Sequence, residues 1–153
     1  MLYKGGVSHA YRSDGTGPHR RRGGVGAGLL LRPLATDALR EELDNPHAVF
    51  TVAVGEDGTV LGYVGMHHLV DEGFITNVAV SPAARRQGVA RALLRHLTEY
   101  GTAHSLYHIT LEVRAGNTPA IALYEGLGYV RDGVRPGFYS HPTEDAAIYS
   151  LYF

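Results

Sequence analysis

The stretch Arg85-Arg86-Gln87-Gly88-Val89-Ala90 joins a predicted strand at about residues 73–80 to a predicted helix at about residues 86–103. The helix is predicted from an apolar stripe with spacings of four, four and three residues: Val89, Leu93, Leu97 and Tyr100. A glycine at such a turn leaves backbone N–H groups open to an anion, and the helix dipole favours the same charge. The stretch therefore predicts a loop that binds a pyrophosphate.

This loop matches neither of two common nucleotide-binding motifs. No Gly-Lys-Ser/Thr follows it, which excludes a Walker loop, and it lacks the three glycines of a dinucleotide fingerprint. On these residues alone, a helix that happens to begin near a glycine is the alternative interpretation.

The composition is that of an ordinary globular chain. Of 153 residues, 44% are apolar, 19% are charged and none is cysteine. Thiol nucleophiles, cysteine-ligated zinc and iron–sulfur sites are therefore excluded. The net charge of −1 predicts neither a nucleic-acid nor a membrane partner. No apolar run is long enough for a membrane span or a signal peptide, so we expect a cytoplasmic protein.

Residues 1–28 differ in character from residues 29–153. The first part contains eight glycines and the run Arg20-Arg21-Arg22, without apolar periodicity. This composition is typical of a flexible arm. The arginines could contact a polyanion, but a solvated extension is the simpler interpretation. Residues 29–153 are predicted to form one folded domain.

The folded part predicts an α+β fold, a mixed sheet with helices packed on it. Strands are predicted at about residues 29–34, 48–55, 59–68, 73–80, 107–114, 129–132 and 146–153, and helices at about 36–45, 86–103 and 118–126. The sequence Asp57-Gly58 favours a tight hairpin turn. In the strand at 107–114 apolar and polar residues alternate, so Glu112 lies on the face opposite Leu111.

The loop pattern Arg85-x-x-Gly88-x-Ala90 resembles the acyl-CoA pyrophosphate loop of the GNAT N-acetyltransferase superfamily, Arg/Gln-x-x-Gly-x-Gly/Ala. Further stretches resemble its bacterial ribosomal-protein alanine N-acetyltransferases: residues 75–80, 111–114, 117–124, 127–129 and 144–146. The resemblance extends from about Arg40 to Leu151. It implies a GNAT-like, mostly antiparallel central sheet. It also implies transfer of an acetyl group from acetyl-CoA, without a metal, to a protein N-terminus. The expected acceptor is the N-terminal alanine of a small-subunit ribosomal protein.

The resemblance also implies roles for individual residues. Three would line the pantetheine arm with their backbone: Val78, Ala79 and Val80. Six would hold the pyrophosphate: Arg85, Arg86, Gln87, Gly88, Val89 and Ala90. Asn117 would hydrogen-bond to the cofactor, Glu112 resembles the general base, and Tyr124 resembles the acid that protonates the departing thiolate. The alternative interpretations are a surface charge for Glu112, a packed aromatic for Tyr124 and a turn residue for Asn117.

Two further regions bear on the acceptor and on metals. The nine histidines are scattered, and His67 and His68 point to opposite faces of a strand, so no metal site is expected. The segment Arg135-Pro-Gly-Phe-Tyr139, with His141 after it, lies where the family has its substrate-facing hairpin. A plain loop is the alternative interpretation.

One departure from the family concerns the acceptor groove. The family has two helices between its first two strands, whereas only about a dozen residues separate Pro33 from Asn45. This spacing predicts a shortened first helical region. Either the arm replaces the missing helix, or the acceptor site is open and takes another substrate. The alternatives are thus an acetyltransferase for small amines or a CoA-binding module without turnover, although the presence of Glu112 and Tyr124 argues against the module.

Overall fold

A computed structural model describes the backbone of residues 6–10 and the full structure of residues 45–153. Seven strands form one sheet in the order β1-β2-β3-β4-β5-β7-β6. The strands are β1 (Gly6–Ala10), β2 (Ala48–Val54), β3 (Val60–Leu69), β4 (Glu72–Val80), β5 (His108–Arg114), β6 (Val130–Tyr139) and β7 (Glu144–Tyr152). The helices are α1 (Val89–Ala103) and α2 (Thr118–Glu125), with a 3-10 turn at Pro82–Ala84. The predicted α+β fold is confirmed.

The sheet is antiparallel except where β4 and β5 run side by side. Their parallel pairing begins with Glu72 opposite His108 and ends with Ile75 opposite Leu111. Residues 77–80 of β4 pair with β3 on one edge only. Because an unpaired strand edge presents free N–H and C=O groups, the gap between β4 and β5 can receive a ligand that hydrogen-bonds to backbone.

Helix α1 packs on one face of the sheet. All four residues of the predicted apolar stripe are buried; Leu93 and Leu97 are fully so, as is the adjacent Leu94. They join sheet residues such as Met66 and Ile109 in one core. Each fully buried aliphatic side chain contributes roughly 1.5–3 kcal/mol. This packing fixes the position of the N-terminus of α1 and of the loop before it.

The predicted local signals are confirmed at the β2–β3 turn and in β5. Gly58 has a φ of 83°, and the N–H of Gly55 donates to the carbonyl oxygen of Thr59 at 2.8 Å. Hydrogen bonds from Thr59 lower the pKa of Asp57. In β5 the apolar residues are buried and Glu112 lies on the other face of the sheet. That face of β5 therefore carries the polar residues of the candidate site.

Two predictions about strands were wrong. Gly6–Ala10, assigned to the flexible arm, forms β1 and pairs antiparallel with β2. An edge strand needs backbone hydrogen bonds more than an apolar face, so periodicity did not reveal it. Strand β6 continues to Tyr139 rather than ending at residue 132, with irregular pairing between Arg131 and Gly133 and again between Arg135 and Tyr139. The Gly and Pro residues at these irregularities had favoured a loop.

Several predictions lie outside the described residues: the arginine run 20–22, the strand at 29–34 and most of the helix at 36–45. The shortened first helical region had been counted from that strand. Counted from β1, the interval before β2 comprises residues 11–47. The shortening therefore stays a prediction.

Candidate active site

The loop before α1 opens onto a groove. Gly88 is the N-cap of α1, with φ of 86° and ψ of 2°. A β carbon at this position would have no atom within 4 Å. Ala92 is the first residue whose N–H donates to a carbonyl in this turn, that of Gly88 at 2.9 Å. The preceding N–H groups of α1 thus have no helical acceptor and face outward with the positive end of the helix dipole.

The groove has a volume of about 880 Å³ and lies between this loop and α2. It is lined by seven of the ten predicted cofactor residues: Val80, Arg85, Arg86, Gly88, Val89, Ala90 and Asn117. The remaining lining residues were not predicted: Ala84, Arg91, Pro119, Ala120, Ala122 and Leu123. The lining contains three arginines and no acidic residue, so it suits an anion. The small side chains of Ala120 and Ala122 could have predicted that a groove lies beside α2.

Three predicted cofactor residues do not line the groove. Val78 and Ala79 lie on the part of β4 that follows the end of its pairing with β5. The side chain of Gln87 donates through Nε2 to the carbonyl oxygen of Ala83 at 2.8 Å. Gln87 therefore fastens the loop to the 3-10 turn instead of presenting its amide to the groove.

Asn117 caps α2 and borders the groove. Its Oδ1 accepts from the N–H of Ala120 at 3.3 Å, the usual role of an N-cap asparagine. Its own N–H donates to the carbonyl oxygen of Arg114 at 2.9 Å. No described residue accepts from its Nδ2, so that amide can donate to a ligand. The turn-residue interpretation and the binding role are thus compatible.

Glu112 is paired with a cation. Its Oε1 accepts a hydrogen bond from Nη1 of Arg135 at 2.6 Å. The side chain of Glu112 is 14% exposed and that of Arg135 is 57% exposed. The alternative of a solvated surface charge therefore does not describe Glu112. This pair could not be predicted from the sequence, because Glu112 and Arg135 lie 23 positions apart on strands that are not neighbours.

Tyr124 is buried in α2, 8% exposed, with its ring 5.8 Å from that of Tyr129. Burial, and then the nearby phenol of Tyr139, raise the pKa of Tyr124. Its hydroxyl has no hydrogen-bond partner in residues 45–153. A raised pKa keeps this phenol protonated at neutral pH, so it can donate a proton or a hydrogen bond.

Tyr139 interacts electrostatically with both candidate catalytic residues. Burial raises the pKa of Tyr139, and the carboxylate of Glu112 raises it further. The phenol of Tyr139 in turn affects the pKa of Tyr124. Because electrostatic effects of this kind weaken with distance, Glu112, Tyr124 and Tyr139 lie in one region of the molecule. The end of β6 therefore lies near Glu112, and the substrate-facing role of the hairpin stays a prediction.

The β6–β7 hairpin is held to β5 by Arg114. Its guanidinium donates to Oε2 of Glu144 at 3.0 Å and to the carbonyl oxygens of Ser140 and Pro142, both at 3.2 Å. It also lies 4.4 Å from the ring centroid of Tyr139. The N–H of Gly116 donates to Oε1 of Glu144 at 2.6 Å. This hydrogen bond and that from Arg114 lower the pKa of Glu144. The clamp fixes Tyr139 beside the site.

Within residues 45–153, no three His, Asp or Glu side chains converge in a way that could hold a metal ion. In the same part of the chain, neither helix is long and apolar enough to cross a membrane.

The chain matches the Acetyltransferase (GNAT) family over residues 27–129. A Bacillus subtilis protein with the provisional name ribosomal protein bS18-alanine N-acetyltransferase is 34% identical over 125 residues, 81% of this chain and 82% of its own. The Escherichia coli ribosomal protein bS18-alanine N-acetyltransferase is 39% identical over 100 residues, 63% of this chain and 66% of its own.

Structural comparison gives the same result. The crystal structure of the ribosomal-protein-S18-alanine N-acetyltransferase from Escherichia coli superposes with a TM-score of 0.70. It is 30% identical and covers 76% of this chain and 75% of that chain. The resemblance inferred from the loop and the flanking motifs is thereby confirmed, and the chain belongs to the GNAT family of acetyltransferases.

Proposed function

We propose that this protein transfers the acetyl group of acetyl-CoA to the N-terminal α-amine of a protein, the N-terminal alanine of a small-subunit ribosomal protein. The observation that carries the proposal is the groove at the start of α1, which is lined by three arginines and no acidic residue. The names of the relatives supply the acceptor. Ribosomal proteins are made in the cytoplasm, so the proposal also places the enzyme there.

The groove residues fit coenzyme A. The open N–H groups around Gly88 and the arginines 85, 86 and 91 suit the pyrophosphate. The free Nδ2 of Asn117 suits a pantetheine amide, and the gap beside residues 78–80 suits the extended pantetheine arm. Acetyl-CoA, when bound, supplies the acetyl group as a thioester.

Each catalytic role needs a defined proton position. Direct transfer requires a neutral amine, and Glu112 would accept the proton that the α-ammonium loses. The new N–C bond forms as the C–S bond breaks. Tyr124, which is protonated at neutral pH, would donate a proton to the departing sulfur and recover the second proton that the amine nitrogen loses as the amide forms. The clamped Tyr139 would form the wall against which the acceptor lies.

Changing Glu112 to Gln is expected to slow acetylation at pH 7 by up to about sevenfold without altering the affinity for CoA. A free α-amine is roughly 14% neutral at pH 7, so complete deprotonation can increase the reactive fraction only about sevenfold. Raising the pH should restore much of the rate, because hydroxide then deprotonates the amine. Steady-state kinetics from pH 6 to pH 9, with CoA calorimetry, measure both effects. An equal loss at every pH would contradict the proton-acceptor role.

Changing Gly88 to Val is expected to raise the Kd for CoA at least tenfold, on the order of 1.4 kcal/mol. The new side chain would occupy the open space that a pyrophosphate needs. Gly58→Val is the matched control, because Gly58 also has positive φ, 83°, and no atom within 4 Å of a β carbon. Both variants carry similar backbone strain, but only Gly88 borders the groove. Unchanged CoA affinity in Gly88→Val would exclude this groove as the pyrophosphate site.

Calorimetry of CoA and acetyl-CoA binding tests the proposed function at its first step. A ligand bound only by the folded state stabilises it by about 2.7 kcal/mol at a hundredfold excess over Kd. We therefore expect a measurable Kd and a raised Tm with either ligand. If the unmodified protein binds neither, the proposed function fails.

A further inference from the structure

The ion pair between Glu112 and Arg135 spans three strands. Glu112 on β5 lies opposite Ile148 of β7, and Arg135 on β6 lies opposite Ala146 of β7. The guanidinium therefore reaches across β7 from one strand to the next but one. The small side chain of Ala146 leaves room for this crossing. The contact joins β6, which ends at the proposed acceptor wall, to Glu112, the proposed general base.

This pair differs from the neighbouring pair of Arg114 and Glu144. Arg114 donates to three oxygens of the hairpin, and Glu144 also accepts from the N–H of Gly116. Arg135 donates to Glu112 alone among the described residues. Its guanidinium carbon lies 4.7 Å from the ring centroid of Phe138, which is itself exposed. Arg114 is thus a fixed clamp, whereas Arg135 has one hydrogen bond and ready access to water.

The two partners would respond differently if the pair opened. Arg135 is more than half exposed, so its guanidinium can be solvated after leaving. Glu112 is mostly buried, and a buried carboxylate without a partner is unfavourable. Arg135 is therefore expected to leave only when another cation takes its place.

The proposed acceptor carries such a cation. At pH 7 an α-amine is roughly 86% protonated. We propose that Arg135 is a specificity-determining residue. It forms an ion pair with Glu112 in the absence of an acceptor, and the acceptor's α-ammonium displaces it from that pair. This inference rests on the proposed function, and in particular on Glu112 as the carboxylate that meets the amine.

The exchange also accounts for product release. The α-ammonium loses one proton to Glu112, its nitrogen forms the amide bond as the C–S bond breaks, and the second proton that the nitrogen loses passes through Tyr124 to the departing sulfur. The product nitrogen then carries no charge and cannot replace Arg135. Once the proton of Glu112 has passed to water, Arg135 returns to the carboxylate and the acetylated N-terminus is released.

Equilibrium binding with CoA present tests the exchange without turnover, because CoA carries no acetyl group. The probes are a peptide with a free N-terminal alanine and the same peptide N-acetylated. Arg135→Gln is expected to bind the free-amine peptide about two- to fivefold more tightly than the unmodified protein, the value of one partly exposed charge pair. The acetylated peptide should bind both proteins equally. Arg131→Gln is the matched control, because Arg131 is an exposed arginine of β6 opposite Tyr149, on the other face.

Arg135→Lys retains the competing charge and should bind both peptides as the unmodified protein does. The proposed exchange is contradicted if Arg135→Gln binds the free-amine peptide no more tightly than the unmodified protein does, or if its affinity for both peptides rises equally. It is also contradicted if Arg131→Gln or Arg135→Lys shows the same increase in affinity for the free-amine peptide. Failure of the proposed function is recognised separately, because the unmodified protein would then not bind CoA or acetylate the peptide.

Discussion

Turnover is expected to fall on the order of 10²–10⁴-fold when Tyr124 is changed to Phe, the usual contribution of a general acid. The ring stays, so the packing of α2 and the CoA affinity should be close to those of the unmodified protein. The pKa of Tyr124 is raised by burial, so its hydroxyl carries a proton throughout the neutral range. Rapid-quench kinetics of a single turnover measure the chemical step directly.

A neighbouring tyrosine supplies the control. Tyr129 is 2% exposed, and its hydroxyl is buried without a hydrogen-bond partner among the described residues. Tyr129→Phe also removes a phenol oxygen, from a ring whose centroid lies 5.8 Å from that of Tyr124. This variant should retain full turnover. If Tyr124→Phe also keeps full turnover when chemistry limits the rate, Tyr124 is a packing residue and another group protonates the sulfur.

The reference pKa values refine what the hydroxyl of Tyr124 does. A phenol has a pKa near 10 and a thiol near 8.5, so complete proton transfer from tyrosine to thiolate is unfavourable in water. Stabilising the developing thiolate by a hydrogen bond requires no complete transfer. The raised pKa of Tyr124 favours this second description.

Peptides with a free α-amine are expected to react on the order of 10²-fold faster at pH 7 than peptides whose only amine is a lysine side chain. An α-amine with a pKa near 7.8 is roughly 14% neutral at this pH, whereas a lysine with a pKa near 10.4 is roughly 0.04% neutral. The ratio of rates should narrow as the pH rises, because only the lysine still gains neutral amine. Initial rates for both peptides between pH 7 and pH 10 measure the ratio. Equal rates at pH 7 would show that the site deprotonates lysine and would contradict the N-terminal assignment.

Predictions from the sequence were most successful where local chemistry decides the structure. The stripe that begins at Val89 is amphipathic whatever surrounds it, and it is buried as predicted. The Asp57-Gly58 turn is determined by backbone conformation, and the alternation around Glu112 fixes which face of β5 it occupies. The arrangement of Gly88 at the start of α1 likewise follows from its immediate neighbours.

The sequence could not predict features that depend on distant partners. The pairing of β1 with β2 uses backbone groups, which leave no side-chain pattern. The contact between Glu112 and Arg135 depends on the order of three strands and on the length of β6. Gln87 was grouped with the pyrophosphate residues by resemblance, yet its amide bonds to Ala83, because the 3-10 turn brings that carbonyl within reach.

Mass spectrometry of peptides incubated with acetyl-CoA tests the central claim most directly. The set comprises a peptide with N-terminal alanine, the same peptide with N-terminal serine, and a peptide with a blocked N-terminus and an internal lysine. The account predicts one acetyl group on the α-amine of the alanine peptide, located by fragmentation, and little on the lysine peptide at pH 7. Acetylation confined to the lysine, or no acetylation of any peptide by protein that binds acetyl-CoA, would contradict it.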